Sequence, residues 1–209
     1  MARLGRDWIA RHGETVFNAA RRLQGDAAHT PLTRAGFAQA DEMGRALLRL
    51  LGFRPALTLW ASPTGRALQT LAVIAEHLGL DWHAARTDTR LEEIGMGSWG
   101  GRYYRDVVGE VGPVVTANGL LRPAPDGEDY PAIAARVAGW LADTDADLGD
   151  RLVVMHGISS RVLRGMMTGA TVDPDVSVAV APGLPQGSVS LVENACESIA
   201  HPGTGTAPA

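Results

Sequence analysis

Two histidines have the same local setting near opposite ends of the chain, and together they could form one chemical site. His12 stands just beyond the apolar residues 8–10, His156 stands just beyond the apolar residues 152–155, and a glycine follows each. Ligands of open α/β sheets bind at the carboxyl ends of the strands. Because imidazole can act as a nucleophile, the pattern predicts one site assembled from both ends of the chain.

Two arginines near these positions indicate an anionic ligand. Arg11 directly precedes His12, and Arg66 falls in the first turn of a predicted helix. A cation is unfavourable at a helix N-terminus unless something negative is bound there, so Arg66 predicts a phosphate or carboxylate ligand. On these residues alone other interpretations stay open: Arg11 as a surface residue, and His12 or His156 as buried histidines satisfied by the protein.

A pair of acidic residues, Glu92 and Glu93, follows the predicted edge strand at residues 82–87. Adjacent carboxylates are usually solvated, and we expect this of one member of the pair. A carboxylate beside a cationic pocket could serve first as a general acid and then as a general base.

Strand and helix patterns alternate along the chain. Helical periodicity or capping predicts helices over residues 33–51, 64–78, 130–141 and 159–167. Short apolar runs predict strands at residues 8–10, 57–61, 152–155 and, as the last strand, 188–192. This alternation predicts an α/β fold, a mostly parallel central sheet with helices on both faces.

Bulk composition is that of an ordinary globular domain. The chain has 209 residues and a net charge of −4, which favours neither nucleic acid nor an anionic membrane as partner. We expect one domain over residues 1–200, with a substrate-shaping cap segment at about 95–129, and a disordered tail at 201–209. The lone cysteine, Cys196, and the lack of an apolar leader predict a cytoplasmic protein.

An ordered set of short motifs resembles the histidine phosphatase superfamily, also called the phosphoglycerate mutase-like family. The likeness extends from Trp8 to about Val192, and the set as a whole is far more specific than any member. Its members are Arg11-His12-Gly13-Glu14-Thr15 with Asn18, Gln24-Gly25, Pro31-Leu32-Thr33 with Gly36, Ser62-Pro63, Arg66-Ala67-Leu68-Gln69-Thr70, Glu93 with Gly97 and Trp99, and His156-Gly157.

The resemblance implies a three-layer α/β/α sandwich and a role for each matching residue. His12 matches the nucleophile that becomes a phosphohistidine, and Glu93 matches the proton donor six residues before the tryptophan. Gly13 would leave room for the ligand. The matches to the groups around the transferred phosphoryl group, and to the phosphate or substrate pocket, are Arg11, Arg66, His156, Asn18, Gln24, Gly25 and Gly157.

Electrostatics makes such a mechanism plausible without a metal. Phosphoryl transfer depends mostly on positioning and charge stabilisation, and two guanidiniums suit the phosphoryl oxygens. A protonated His156 would add a third cation, while neighbouring cations would help to keep His12 neutral. The sequence contains no carboxylate cluster suited to magnesium, so no metal or cofactor is predicted.

Two motifs depart from the family pattern. Trp99-Gly100-Gly101 stands where many members have Trp-Glu-Gly, and Gly127-Glu128-Asp129 stands where they have Gly-Glu-Ser. Both fall in or near the cap segment, so the substrate does not transfer by analogy. The cap residues Arg102, Tyr103, Tyr104, Arg105 and Arg122 could bind a carboxylate or sugar, or form a solvated surface, which is the slightly favoured interpretation.

Three functions remain open on the sequence. The first is a phosphomonoesterase that acts on a small phosphorylated metabolite, with a homo-oligomeric state possible. The second is a 2,3-bisphosphoglycerate-dependent phosphoglycerate mutase, although family mutases carry a longer insert after the acid region. The third is a non-catalytic phosphate- or phosphopeptide-binding module, which would have no use for both a nucleophile and an acid.

Overall fold

A six-stranded sheet forms the centre of the computed structural model, which describes residues 4–206. The strands of the described chain are β1 (Asp7–Arg11), β2 (Leu57–Ala61), β3 (Arg86–Thr87), β4 (Asp150–Met155), β5 (Val172–Asp173), β6 (Val178–Ala179), β7 (Val189–Glu193) and β8 (Cys196–His201). The sheet order is β3-β2-β4-β1-β7-β8, and β5 pairs with β6 separately. The first four strands of this order are parallel, and β7 and β8 are antiparallel to their neighbours.

Helices cover both faces of the sheet. They are α1 (Val16–Ala19), α2 (Arg34–Leu51), α3 (Gly65–Leu78), α4 (Tyr104–Val111), α5 (Tyr130–Asp143) and α6 (Gly157–Thr168). Trp8 and Ala10 of β1 face a core with α2 and α3, whereas Ile9 faces a second core with α5 and α6. The alternation of strand side chains thus creates two cores. The predicted α/β/α arrangement with a mostly parallel sheet is confirmed.

Local signals set the ends of the long helices. The Thr33 side chain accepts a hydrogen bond from the backbone N–H of Gly36 at the start of α2. Gly79 ends α3 in the left-handed conformation, at φ 64°. These boundaries lie within one residue of the predicted helices.

The predicted edge strand at residues 82–87 is wrong for most of its length. Only Arg86–Thr87 pairs as a strand in the predicted edge strand, because Trp82–Ala84 forms a 3-10 helix capped by the Asp81 side chain. The cap segment, for which the sequence predicted no helix or strand, contains α4.

The end of the chain also differs from expectation. Residues 188–192 are not the last strand, because β8 follows and pairs with β7 through a tight turn at Asn194 and Ala195. The predicted disordered tail is wrong for residues 201–206. His201 ends β8, and Thr206 donates to the Gln186 side chain from both its backbone N–H and its hydroxyl. Residues 207–209 of that prediction lie outside the described chain.

Strand register brings the two histidines together. Strands β1 and β4 are parallel neighbours, with Arg11 opposite Met155 at their carboxyl ends. The backbone N–H of His12 donates to the Met155 carbonyl at 3.1 Å. His12 and His156, each one residue beyond its strand, therefore emerge side by side.

Candidate active site

The two imidazoles form the buried centre of the site. Their ring centroids are 5.1 Å apart and the ring planes meet at 64°. His12 is 3% exposed and His156 is fully buried. The predicted meeting of the two ends of the chain therefore occurs at the carboxyl edge of the sheet.

Contacts of His12 define its tautomer. Nδ1 lies 2.7 Å from the Gly13 carbonyl oxygen. Because a carbonyl oxygen can only accept, Nδ1 carries the hydrogen and Nε2 holds the free lone pair. Burial lowers the pKa of His12 well below its usual value, and the charges of Arg66 and Arg11 lower it further. His12 is thus a neutral imidazole with one nitrogen available for attack.

His156 is held in the opposite tautomer. Arg66 Nε donates to His156 Nδ1 at 3.2 Å, so the hydrogen of the neutral ring is on Nε2, 3.5 Å from the hydroxyl oxygen of Thr64. Burial, followed by the charge of Arg66, lowers the pKa of His156 well below its usual value. The expectation of a protonated His156 as a third cation is therefore wrong for this structure.

Arg66 lies behind the histidines and connects three parts of the fold. It is fully buried, and its guanidinium also donates to the Ala27 carbonyl at 2.6 Å, the Thr30 hydroxyl at 2.9 Å and the Gly25 carbonyl at 2.7 Å. Burial lowers its pKa to about 10. Four of its five N–H groups are thus used by the protein, and one remains for a ligand.

Arg11 has a different environment. Its guanidinium donates to the Leu184 carbonyl at 2.5 Å and lies 3.4 Å from the Thr206 carbonyl. Its buried Nε has no hydrogen-bond partner within residues 4–206. A Cβ at Gly157 would lie 3.3 Å from the guanidinium, so glycine there allows Arg11 to pack against the start of α6. Burial lowers the pKa of Arg11 to about 10.

Glu93 is fixed by the N-terminus of α6. Its carboxylate accepts from the backbone N–H groups of Ile158 and Ser159, each at 2.9 Å, and of Ile94 at 3.0 Å. Charge and helix dipole favour a carboxylate at this end of a helix. The same helix that follows His156 thus holds Glu93, whereas Glu92 is absent from the lining of the cavity described next.

A cavity of about 420 Å³ opens above these groups. The residues that line it are Arg11, His12, Asn18, Arg21, Arg22, Leu23, Gln24, Gly25, Glu93, Ile94, Met96, Tyr104, Leu121, Gly157, Ile158, Gln186 and Thr206. Seven of the nine predicted site residues are among them. The other two, Arg66 and His156, lie directly behind the lining.

Asn18 and Gln24 are held by one threonine. Thr15 donates to the Asn18 side-chain oxygen from its backbone N–H at 3.0 Å, and its hydroxyl contacts the side-chain oxygens of both residues. The two amide NH₂ groups remain as donors at the cavity. Gly25 has a φ of 51°, and a Cβ there would lie 2.1 Å from the Met96 side chain, so both turn and packing require glycine.

The interpretation of Gly13 as room for the ligand is wrong. A Cβ at Gly13 would lie 2.3 Å from the carbonyl oxygen of Gly36, in the first turn of α2. The Gly13 N–H donates to the Thr70 hydroxyl at 3.2 Å. Glycine is needed at this position because α2 packs against the backbone.

The structure gives different positions to the five cap residues whose role the sequence left open, namely Arg102, Tyr103, Tyr104, Arg105 and Arg122. Only Tyr104 lines the cavity. Tyr103 instead packs under Arg22, whose guanidinium carbon lies 4.3 Å from the ring centroid. The remaining three are solvent-facing: Arg102 pairs with Glu110, Arg105 has a side chain 81% exposed, and Arg122 is exposed.

Sequence reasoning missed Gln186 and Thr206 altogether. Both lie beyond the last motif, and nothing in their local sequence separates them from ordinary loop residues. Tyr104 was one of the five cap residues considered from the sequence, but only the fold shows that it lines the cavity and the other four do not.

The segment Gly127-Glu128-Asp129, which departs from the family pattern, has a structural role here. Glu128 forms an ion pair with Arg136 of α5 at 2.7 Å and accepts from the Gly95 N–H at 3.2 Å. Asp129 caps α5 by accepting from the Ala132 N–H at 2.8 Å. These acidic residues join the loop after Glu93 to α5, outside the cavity.

The described residues were also considered as metal ligands and as membrane spans. Between residues 4 and 206, no group of three or more His, Cys, Asp or Glu side chains is arranged to hold a metal ion. In the same part of the chain, no helix is both long and apolar enough to cross a membrane.

Comparison with known proteins shows the family to which this chain belongs. The profile of the histidine phosphatase superfamily (branch 1) matches residues 8–193. The chain belongs to the histidine phosphatase superfamily, as its motifs predicted.

Relatives within the superfamily carry different names. The "Probable phosphoglycerate mutase GpmB" of Enterobacter sp. (strain 638) is 35% identical over 170 residues, covering 78% of this chain and 74% of that protein. The "Adenosylcobalamin/alpha-ribazole phosphatase" of Salmonella typhimurium is 31% identical over 167 residues, covering 77% and 79%. A mycobacterial glucosyl-3-phosphoglycerate phosphatase has the same fold, with a TM-score of 0.74, 23% identity and coverage of 95% and 97%.

Proposed function

We propose that this protein hydrolyses the phosphomonoester of a small metabolite through a phosphohistidine on His12. The observation that carries the proposal is the buried, neutral imidazole of His12, whose Nδ1 donates to the Gly13 carbonyl and whose Nε2 is free beside a cationic cavity. The cavity volume of about 420 Å³ suits a small molecule. We place the reaction in the cytoplasm and without a metal.

In the first step, His12 Nε2 attacks phosphorus and the bond from phosphorus to the ester oxygen breaks. Arg11 and the remaining N–H of Arg66 donate to the phosphoryl oxygens, and the Nε2–H of His156 adds a neutral donor. The imidazole gains positive charge as the new P–N bond forms. The hydrogen bond from Nδ1 to the Gly13 carbonyl stabilises that charge.

Glu93 supplies the proton that the departing alkoxide needs. Its carboxyl group accepts three backbone N–H bonds and so retains one of about four acceptor positions. A proton at that position would go to the leaving oxygen. In the second step water attacks phosphorus, its proton passes to Glu93, the P–N bond breaks and phosphate leaves.

The presence of both a nucleophile, His12, and a proton donor, Glu93, supports a hydrolase over a binding module. Phosphate binding alone would require the arginines and backbone donors, but neither a free nucleophilic nitrogen nor a carboxyl group held against a helix N-terminus. A mutase would use the same first step. It would then return the phosphoryl group to a bound acceptor, and the relative named as a mutase keeps this as the second candidate.

Phosphate release from 4-nitrophenyl phosphate tests the proposal. We expect turnover that persists in excess EDTA, and a loss of at least about 10³-fold in His12→Gln, as is typical when a nucleophile is removed. Equal activity in His12→Gln and wild type would refute the assignment of His12, and loss of activity in EDTA would refute metal independence.

The mutase is distinguished by its product. Protein primed with 2,3-bisphosphoglycerate would interconvert 2- and 3-phosphoglycerate faster than it releases inorganic phosphate. We expect the reverse, with inorganic phosphate as the main product.

The control variant for His12→Gln is Arg49→Gln, which also introduces a glutamine. Arg49 is an exposed residue near the end of α2 that does not line the cavity.

A further inference from the structure

The mouth of the cavity has a cation that the proposed mechanism does not use. Arg21 lines the cavity and is exposed, and its side chain makes no hydrogen bond or ion pair with any residue of the described range 4–206. Its neighbour Arg22 differs, because its guanidinium donates to the Gly101 carbonyl and the Tyr103 hydroxyl. Arg22 thus holds the cap segment in place, while Arg21 is available to a ligand.

The backbone of Arg21 is fixed in an unusual conformation. Its φ is 54°, in the left-handed region that asparagine and glycine enter far more readily than arginine. The Arg21 N–H donates to the Asn18 carbonyl at 3.0 Å, and the Arg21 carbonyl accepts from the Tyr104 N–H at 3.1 Å. The turn therefore places Arg21 directly beside the start of α4.

Tyr104 supplies a second unused group at the same place. Its hydroxyl has no hydrogen-bond partner in the described part of the chain, and the residue is half-buried. Tyr104 lines the same cavity as Glu93 and Arg11, and so faces the space in which the proposed reaction takes place. A phenol and a guanidinium that line one cavity without partners in the described residues suit an oxyanion, because both groups are donors.

The geometry points to a second anion subsite formed by Arg21 and Tyr104. We infer that the substrate carries, besides the phosphate that is removed, a second anionic group: a carboxylate or another phosphate. This inference rests on the proposed function and specifies its substrate class. Both groups of the substrate must fit within the same cavity, which restricts the substrate to a small, doubly anionic metabolite.

A matched pair of substrates isolates the second anion. The compounds 3-phosphoglycerate and glycerol 3-phosphate share a carbon skeleton and differ in a carboxylate against a hydroxymethyl group. Fructose 1,6-bisphosphate and fructose 6-phosphate form the corresponding pair for a second phosphate. We expect wild-type protein to prefer the doubly anionic member of at least one pair in kcat/KM for phosphate release, and the preferred pair identifies the anion.

The variant Arg21→Asn tests the subsite, since asparagine tolerates the left-handed backbone. We expect the preference for the doubly anionic substrate to fall about tenfold, the size of one lost charge-assisted hydrogen bond. Tyr104→Phe should lower the same preference by a smaller factor. The control is Arg54→Asn, because Arg54 is also exposed and left-handed, at φ 55°, but does not line the cavity.

The outcomes separate the inference from the function on which it rests. If 4-nitrophenyl phosphate turnover depends on His12 but wild type prefers neither doubly anionic substrate, the subsite is refuted while the proposed function stands. An unchanged preference in Arg21→Asn, or an equal fall in Arg54→Asn, also refutes the subsite. Absence of turnover on every phosphate ester would refute the proposed function and the inference with it.

Discussion

His12, Arg66 and His156 are buried and held by other parts of the protein, whereas Arg21 is exposed and Tyr104, whose ring packs against the core, has a hydroxyl without a hydrogen-bond partner in residues 4–206. We call the first three the floor and the last two the mouth. In the floor, Nδ1 of each histidine and four of the five N–H groups of Arg66 are bound by the protein, and each histidine has a single tautomer. In the mouth, two donors have no partner within residues 4–206. The difference indicates that chemistry is set by the fold, and that substrate choice is left to the groups around the opening.

Of the changes compared here, removing Arg66 from the floor should have the largest effect on stability. Arg66→Met would leave the Gly25 and Ala27 carbonyls without their donor and remove a phosphate ligand. We expect a loss of about 2–4 kcal/mol in the free energy of unfolding, since each unsatisfied buried group costs roughly 1–3 kcal/mol. Activity should fall at least about 10²-fold. Urea denaturation and initial rates measure the two effects.

A matched change outside the site controls for loss of any arginine. Arg49→Met alters an exposed residue, so the free energy of unfolding should change by about 0.5 kcal/mol or less. Equal destabilisation by the two variants would contradict the structural role assigned to Arg66.

Changing Glu93 should have an effect that depends on the leaving group. Glu93→Gln cannot deliver a proton, so we expect about a 10²-fold loss on an alkyl phosphate such as glycerol 3-phosphate. The loss on 4-nitrophenyl phosphate should be much smaller, because nitrophenolate leaves without a proton. Initial rates on the two substrates test this, and equal losses would argue against the acid role.

The two buried histidines make a smaller, pH-dependent contribution. Burial lowers the pKa of His12 and of His156 below the unfolded value of 6.5. The unfolded chain therefore binds more protons below pH 6.5, and the stability present above that pH is lost as the pH falls. Each histidine should contribute a slope of about 1.4 kcal/mol per pH unit below about pH 6.

The variant His156→Gln separates this contribution from other titrations. Its amide oxygen can still accept from Arg66, but it cannot titrate. Denaturation between pH 5 and 7 should show a shallower pH dependence than in wild type. Identical slopes would mean that folding does not lower the pKa of His156, contrary to the effect of burial described above.

The sequence predicted the floor better than the mouth for a physical reason. His12 and His156 follow buried strands, and the apolar runs that define those strands also determine their parallel pairing. Arg66 lies in the first turn of α3, the helix that follows β2. These positions depend on short-range patterns, and the resulting geometry follows from the general properties of α/β sheets.

Tertiary contacts that leave no local pattern explain the failures. Nothing near Gly13 predicts the approach of Gly36, because the two meet only when α2 packs. The tail after His201 has the composition of a flexible segment, yet Thr206 donates to Gln186 in the lining of the cavity. The β7–β8 turn places Ala195 at φ 59°, a conformation that alanine does not signal.

The most direct test of the central claim is capture of the phosphohistidine. Wild-type protein is mixed with 4-nitrophenyl phosphate, quenched in alkali within the first turnover and digested for mass spectrometry. We predict one phosphoryl group on the peptide that contains His12, lost after mild acid treatment and absent in His12→Gln. A phosphoryl group on another residue, or turnover by wild type with no phosphorylated His12 peptide, would contradict the account.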